Sequence, residues 1–122
     1  MSKSFRTLAL TLLGLLTGSS LVFAHAFPDH AEPPVGATLT EPPQEVKIWF
    51  TERLEPALSK IQVFDASGQQ VDKRDVQADK SNAALLSVSL RALQPGKYKV
   101  VWRVVSVDTH VTTGDFSFEV TR

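Results

Sequence analysis

The chain of 122 residues contains no cysteine, and its single methionine is Met1. No disulfide can staple the fold, so its core must hold by packing alone. Beyond Met1 there is neither thiolate nor thioether, which removes the soft donors on which sulfur-rich metal centres depend. Charge of one sign is missing as well: 13 Lys and Arg stand against 13 Asp and Glu, a balance that leaves no electrostatic footprint for nucleic acid or an anionic membrane. The apolar stretch over residues 8–16 is shorter than the roughly 20 residues needed to cross a bilayer, and no second one follows.

That short stretch takes its meaning from its flanks. Lys3 and Arg6 precede it without an acid, and residues 17–24 are small and polar, ending Val22-Phe23-Ala24; this is the three-part layout of a secretory signal peptide. Cleavage after Ala24 makes 1–24 a signal segment and 25–122 one exported domain. Removing the first 24 of 122 residues leaves 98, with 11 basic and 13 acidic side chains and a formal charge of −2. A chain of this length buries somewhat more than about 60% of its extended surface, enough for one core. Its first residue is His25, where an α-amine and an imidazole on the same residue form a ready chelate for a metal. Because an α-amine titrates at about 7.7–8.0, metal binding there has to displace its proton.

The rest reads as β-structure. Residues 45–50 alternate Val46, Ile48 and Phe50 on one face, and 60–64 place Ile61 and Val63 together before the turn signal Asp65-Ala66-Ser67-Gly68. Residues 84–90 offer Leu86, Val88 and Leu90; 97–105 alternate Tyr98, Val100, Trp102 and Val104; 115–120 alternate Phe116, Phe118 and Val120. Short, turn-punctuated strands of this kind build a sandwich. Residues 72–82, polar and of mixed charge, are expected as a long exposed loop. Leu93-Gln94-Pro95-Gly96-Lys97-Tyr98 reads as a turn into a strand, with Tyr98 either a corner tyrosine bonded back to the main chain or an ordinary core residue.

One more cluster carries chemistry: Ser106-Val107-Asp108-Thr109-His110, directly after an apolar strand. If strand geometry persists, Asp108 and His110, two residues apart, leave the same face and converge on one ion. The competing reading is a solvated turn in which the aspartate accepts backbone N–H groups. His30, the remaining one of three histidines, reads as a surface or strand-edge residue, with an auxiliary metal contact as the alternative.

The start His25-Ala26, the segments Pro34-Val35-Gly36-Ala37-Thr38-Leu39 and Val46-Lys47-Ile48-Trp49-Phe50-Thr51-Glu52, and the run from Pro95-Gly96-Lys97-Tyr98 through Ser106-Val107-Asp108-Thr109-His110 to Gly114-Asp115-Phe116-Ser117-Phe118 resemble, in order, the CopC family of periplasmic copper-resistance proteins. The resemblance implies an all-β, immunoglobulin-like or cupredoxin-like Greek-key sandwich. It further implies a periplasmic Cu(II) carrier or buffer, not an enzyme, whose metal ligands fall on His25, Asp108 and His110. Glu52 falls where relatives keep a glutamate near the copper, supporting the site rather than ligating; the alternative reading is a plain exposed strand-end carboxylate. A membrane copper-transport protein of the CopD type is the implied partner, and the domain is expected as a monomer. Two imidazoles, an amine and a carboxylate suit the tetragonal nitrogen and oxygen preference of Cu(II), with zinc as natural competitor. The methionine-rich Cu(I) site of some relatives has no counterpart here. Two other classes stay open at this point: a copper oxidase or oxygenase using the same histidine brace, and a metal-free sandwich serving as an interaction module.

Overall fold

The computed structural model of the protein describes residues 25–121, so the signal segment read at 1–24 lies outside the described residues. The five apolar-alternating runs all become strands: β3 (Glu45–Phe50), β4 (Lys60–Asp65), β6 (Asn82–Ser89), β7 (Gly96–Val105) and β8 (Val111–Val120). Three short strands join them: β1 (Pro28–Glu32), β2 (Thr38–Leu39) and β5 (Gln77–Asp79). One sheet has the order β1-β3-β6-β5 and the other β2-β8-β7-β4. Successive strands repeatedly cross from sheet to sheet, and all pairs are antiparallel except β2 with β8. The Greek-key sandwich expected from the sequence is the fold observed.

The alternation explains the packing. Val46, Ile48 and Phe50 of β3 and Leu86 and Val88 of β6 face Ile61 and Val63 of β4, Tyr98, Val100, Trp102 and Val104 of β7, and Phe116, Phe118 and Val120 of β8, all buried in one core. Fully burying one such aliphatic or aromatic side chain contributes about 1.5–3 kcal/mol, which is how the fold dispenses with disulfides. Tyr98 fulfils both of its readings: it is buried and stacked on Phe118 with ring centroids 5.4 Å apart, and its hydroxyl donates to the Gln94 carbonyl. Burial pushes the phenol's pKa up.

The expectation for residues 72–82 is corrected in two respects. The segment contains β5, and Val76 and Ala78 pack against the core. Asp72 is buried rather than solvated; its carboxylate accepts the Val63 N–H at 2.8 Å, the Gln70 amide at 3.1 Å and the Arg74 N–H at 3.1 Å. A charged residue is placed inside because three donors replace its water. β8 also begins earlier than read, at Val111, because Val104 and Val105 of β7 pair with Thr112 and Val111 and so draw the polar residues 112–114 into the ladder.

β7 and β8 form the longest hairpin, and its packing depends on a glycine. Gly114 lies opposite Trp102, and a Cβ built there meets Trp102 Cζ2 at 2.3 Å. The indole thus occupies the space of the missing side chain and meets Phe50 edge-on at 5.4 Å. Gly114→Ala is expected to displace Trp102 and to cost about 1–3 kcal/mol by overpacking, read as a lower urea midpoint with altered tryptophan fluorescence; an unchanged midpoint contradicts this packing.

Candidate metal centre

The five-residue loop 106–110 joins β7 to β8 immediately beyond the Val105–Val111 pair. Strand geometry does not persist into it. Thr109 adopts φ +73°, a left-handed conformation rare for a β-branched residue, so the expected strand face is replaced by a tight turn. Ser106 organises that turn. Its side chain is fully buried, its hydroxyl donates to Asp108 Oδ1 and accepts the His110 N–H at 3.2 Å. Its own N–H donates to the His110 carbonyl at 2.9 Å, and the Thr109 N–H closes onto the Ser106 carbonyl at 2.8 Å. Asp108 Oδ2 then lies 3.4 Å from His110 Nδ1. The Ser106 hydroxyl, assisted by the neighbouring His110, holds the Asp108 carboxyl below the usual carboxylate range, so it stands as an anion at neutral pH.

Two other segments meet this loop. Residues 53–55 fasten it from below, with the Val107 N–H donating to the Arg53 carbonyl at 3.0 Å and the Glu55 N–H to the Val105 carbonyl at 2.8 Å. Residues 25–27 are clamped between the sheets. The Phe27 N–H donates to Thr51 Oγ1 at 3.0 Å, the Thr51 N–H donates to the Phe27 carbonyl at 2.9 Å, and the Thr51 hydroxyl reaches the His25 carbonyl at 3.3 Å. From the other sheet, Thr112 of β8 donates its hydroxyl to the Ala26 carbonyl at 2.7 Å. Ala26 itself is fully buried.

The clamp carries His25 to the loop. Its ring centroid stands 5.0 Å from that of His110, with the planes tilted by 56°, so residues from the two ends of the domain face one another. The 3.4 Å between Asp108 Oδ2 and His110 Nδ1 is long for a hydrogen bond, yet donors held at about 2.0–2.1 Å from one ion span up to about 4 Å. Among the described residues, no three His, Asp or Glu side chains are already closed around one point. Asp108 Oδ1 is turned onto Ser106, and the further donor expected at His25 is an α-amine, which is a peptide nitrogen while Ala24 remains attached. The donor chemistry therefore fits a divalent transition metal once the chain begins at His25.

Glu52 follows Thr51 in the same bend, half-buried, one residue from the clamp. His30 is not part of this grouping. It sits on the edge strand β1, exposed, with Nδ1 2.8 Å from Asp29 Oδ2 and its ring stacked 4.2 Å from Trp49, as its surface reading expected. Three large apolar side chains that remain exposed, Phe27, Val107 and Val111, flank the grouping within two residues of His25, Asp108 and His110. Sequence reasoning did not single out Ser106, Thr51 or Thr112 as functional, because serine and threonine that work through hydrogen bonds to main chain leave no spacing signature.

Residues 29–121 match the family model described as the CopC domain. The chain is 33% identical over 121 residues to "Protein YobA" of Escherichia coli strain K12, covering 98% of this chain and 96% of that protein. It is 32% identical over 129 residues to "Copper resistance protein C" of Xanthomonas campestris pv. juglandis, covering 96% and 98%. Among solved structures, CopC from Methylosinus trichosporium OB3b superposes with a TM-score of 0.75 at 30% identity, over 80% of this chain and 94% of that one. These matches agree: the chain belongs to the CopC family of copper-resistance proteins.

Proposed function

We propose that the protein is exported, processed after Ala24 and employed in the periplasm as a Cu(II) carrier or buffer, with the α-amine and imidazole of His25, the carboxylate of Asp108 and the imidazole of His110 as ligands. The observation that carries this reading is the 5.0 Å approach of the His25 and His110 rings beside Asp108, whose Oδ2 lies 3.4 Å from His110 Nδ1. Four nitrogen and oxygen donors of that kind suit Cu(II), which heads the affinity order of divalent first-row metals. Glu52, half-buried in the bend beside Thr51, is assigned a supporting part near the ligands rather than a ligand's part, because outer partners of metal ligands tune how tightly they bind.

A carrier rather than an enzyme is favoured because the carboxylate fills a position that an oxygen species needs in a brace-type oxidase. The exposed Phe27, Val107 and Val111 place apolar surface next to the cargo, where a copper-transport protein of the CopD type can meet it. With no sulfur donor in residues 25–122, reduction to Cu(I) by an external one-electron donor loosens the ion's hold on the site and supplies a route of release.

Intact-mass measurement of the exported protein is expected to give a chain starting at His25. A start one residue to either side removes the amine chelate and sinks the ligand set. Chelator-competition titration of that protein is expected to show one tight Cu(II) with a tetragonal EPR spectrum and no comparably tight Cu(I). His110→Ala, or a residue added before His25, is expected to weaken Cu(II) by far more than about tenfold, each decade being about 1.4 kcal/mol, while His30→Ala changes little. Loss of binding in His30→Ala with retention in His110→Ala overturns the assignment.

A milder change tests the clamp. Thr112→Val deletes the bond to the Ala26 carbonyl, worth about 0.5–1.5 kcal/mol, so Cu(II) affinity is expected to fall by about 2-fold to 10-fold and amide exchange at Phe27 to quicken. Unaltered exchange and affinity together mean that the clamp does not hold His25 in place.

A further inference from the structure

We infer that Ser106 is a positioning residue for the metal: its buried hydroxyl holds Asp108 by one oxygen, so that the other is presented toward His110 in a fixed direction. The inference rests on the proposed ligand set and adds to it a residue that touches no metal.

A serine hydroxyl has one proton to give and two lone pairs to receive. Two acceptors lie in reach of the Ser106 proton, Asp108 Oδ1 and, at 3.3 Å, the His110 carbonyl. The carboxylate is both the nearer and the charged one, so the proton goes to Asp108. The lone pairs then receive the His110 N–H at 3.2 Å. One hydroxyl therefore ties the two ligands of the loop to a single buried point. Asp108 is itself exposed; without the tie its carboxylate rotates in solvent, and metal binding must bear the cost of ordering it.

A second buried serine shows what a purely structural role looks like. Ser59 lies at the end of the 3-10 turn Pro56–Leu58; its hydroxyl donates to the Glu55 carbonyl at 2.8 Å and accepts the Val105 N–H at 3.1 Å. Both of its partners are main-chain groups. Ser106, in contrast, directs its proton to a side chain that does nothing for the core.

The test is a double-mutant cycle on exported, processed protein, read by Cu(II) affinity under chelator competition and by EPR, with circular dichroism confirming the fold. Ser106→Ala is expected to weaken Cu(II) by about 10-fold to 100-fold, the range for an outer partner of a metal ligand, and to change the EPR parameters. In the Asp108→Ala background the same change is expected to cost less than about 3-fold, because its target is gone. Ser59→Ala is the control, with lower thermal stability and an unchanged EPR spectrum. An equal loss in both backgrounds assigns Ser106 to loop structure alone and overturns the inference, as does wild-type affinity in Ser106→Ala. Should Ser106→Ala not fold, Ser106→Thr and Ser106→Val carry the comparison, since they share a shape and differ by the hydroxyl; equal affinities then overturn it. Failure of the unsubstituted processed protein to bind Cu(II) is a distinct result, which removes the proposed ligand set itself.

Discussion

The clamp on residues 25–27 is the constraint on which the rest of the molecule's chemistry depends. Under the proposed processing these residues become the chain terminus, ordinarily the least ordered part of a domain, and a ligand placed there would lose binding energy to the entropy of ordering it. Here Ala26 is sealed into the core and its carbonyl is held by Thr112 of one sheet, while Phe27 exchanges two bonds with Thr51, which follows β3 of the other. The segment is thereby tied to both layers. His25 inherits the rigidity of the sandwich, although it precedes the first strand.

The opposing half of the grouping owes its order to a hairpin that is paired to its last residue. Ten successive pairs run from Gly96–Val120 to Val105–Val111, so the loop 106–110 begins from a fixed base. The loop accepts a left-handed threonine at 109, a conformation that costs of order 1–3 kcal/mol and persists only where surrounding bonds over-determine it. Most of those bonds involve Ser106 or its main chain, and the Val107 N–H adds one to the Arg53 carbonyl. The strained residue stands between the two candidate ligands of the loop, Asp108 and His110.

Much of this was legible in the chain beforehand, and the pattern of success has a physical cause. The five major strands declared themselves because one face of each is buried and the period of two is written in Val, Ile, Leu, Phe and Trp. β1, β2 and β5 did not, since edge strands of two to five residues need no apolar alternation; β1 reads Pro-Asp-His-Ala-Glu and buries only Ala31 well. Asp72 was misplaced because burial of a carboxylate is decided by three donors brought from elsewhere in the fold, which composition does not record. At the candidate site, His25, Asp108 and His110 were found by residue type and by resemblance, while the geometric argument for the last two, a continuing strand, did not hold. They converge through a turn pinned by a serine.

The absence of sulfur acquires its meaning from this architecture. A sandwich with a sizeable aromatic and aliphatic core has no need of disulfides, so the lack of cysteine costs the fold nothing, and it keeps every thiolate away from the metal. Under the proposed reading the remaining donors are hard or borderline, and the ion's oxidation state alone changes how well they suit it. Retention then draws on both sheets, through the clamp and the hairpin, whereas reduction by an external one-electron donor would weaken the match between these donors and the ion. Under that same reading the cargo sits at an end of the domain rimmed by the exposed Phe27, Val107 and Val111, where a second surface can reach it, whereas an ion enclosed by the core would be out of reach of any partner.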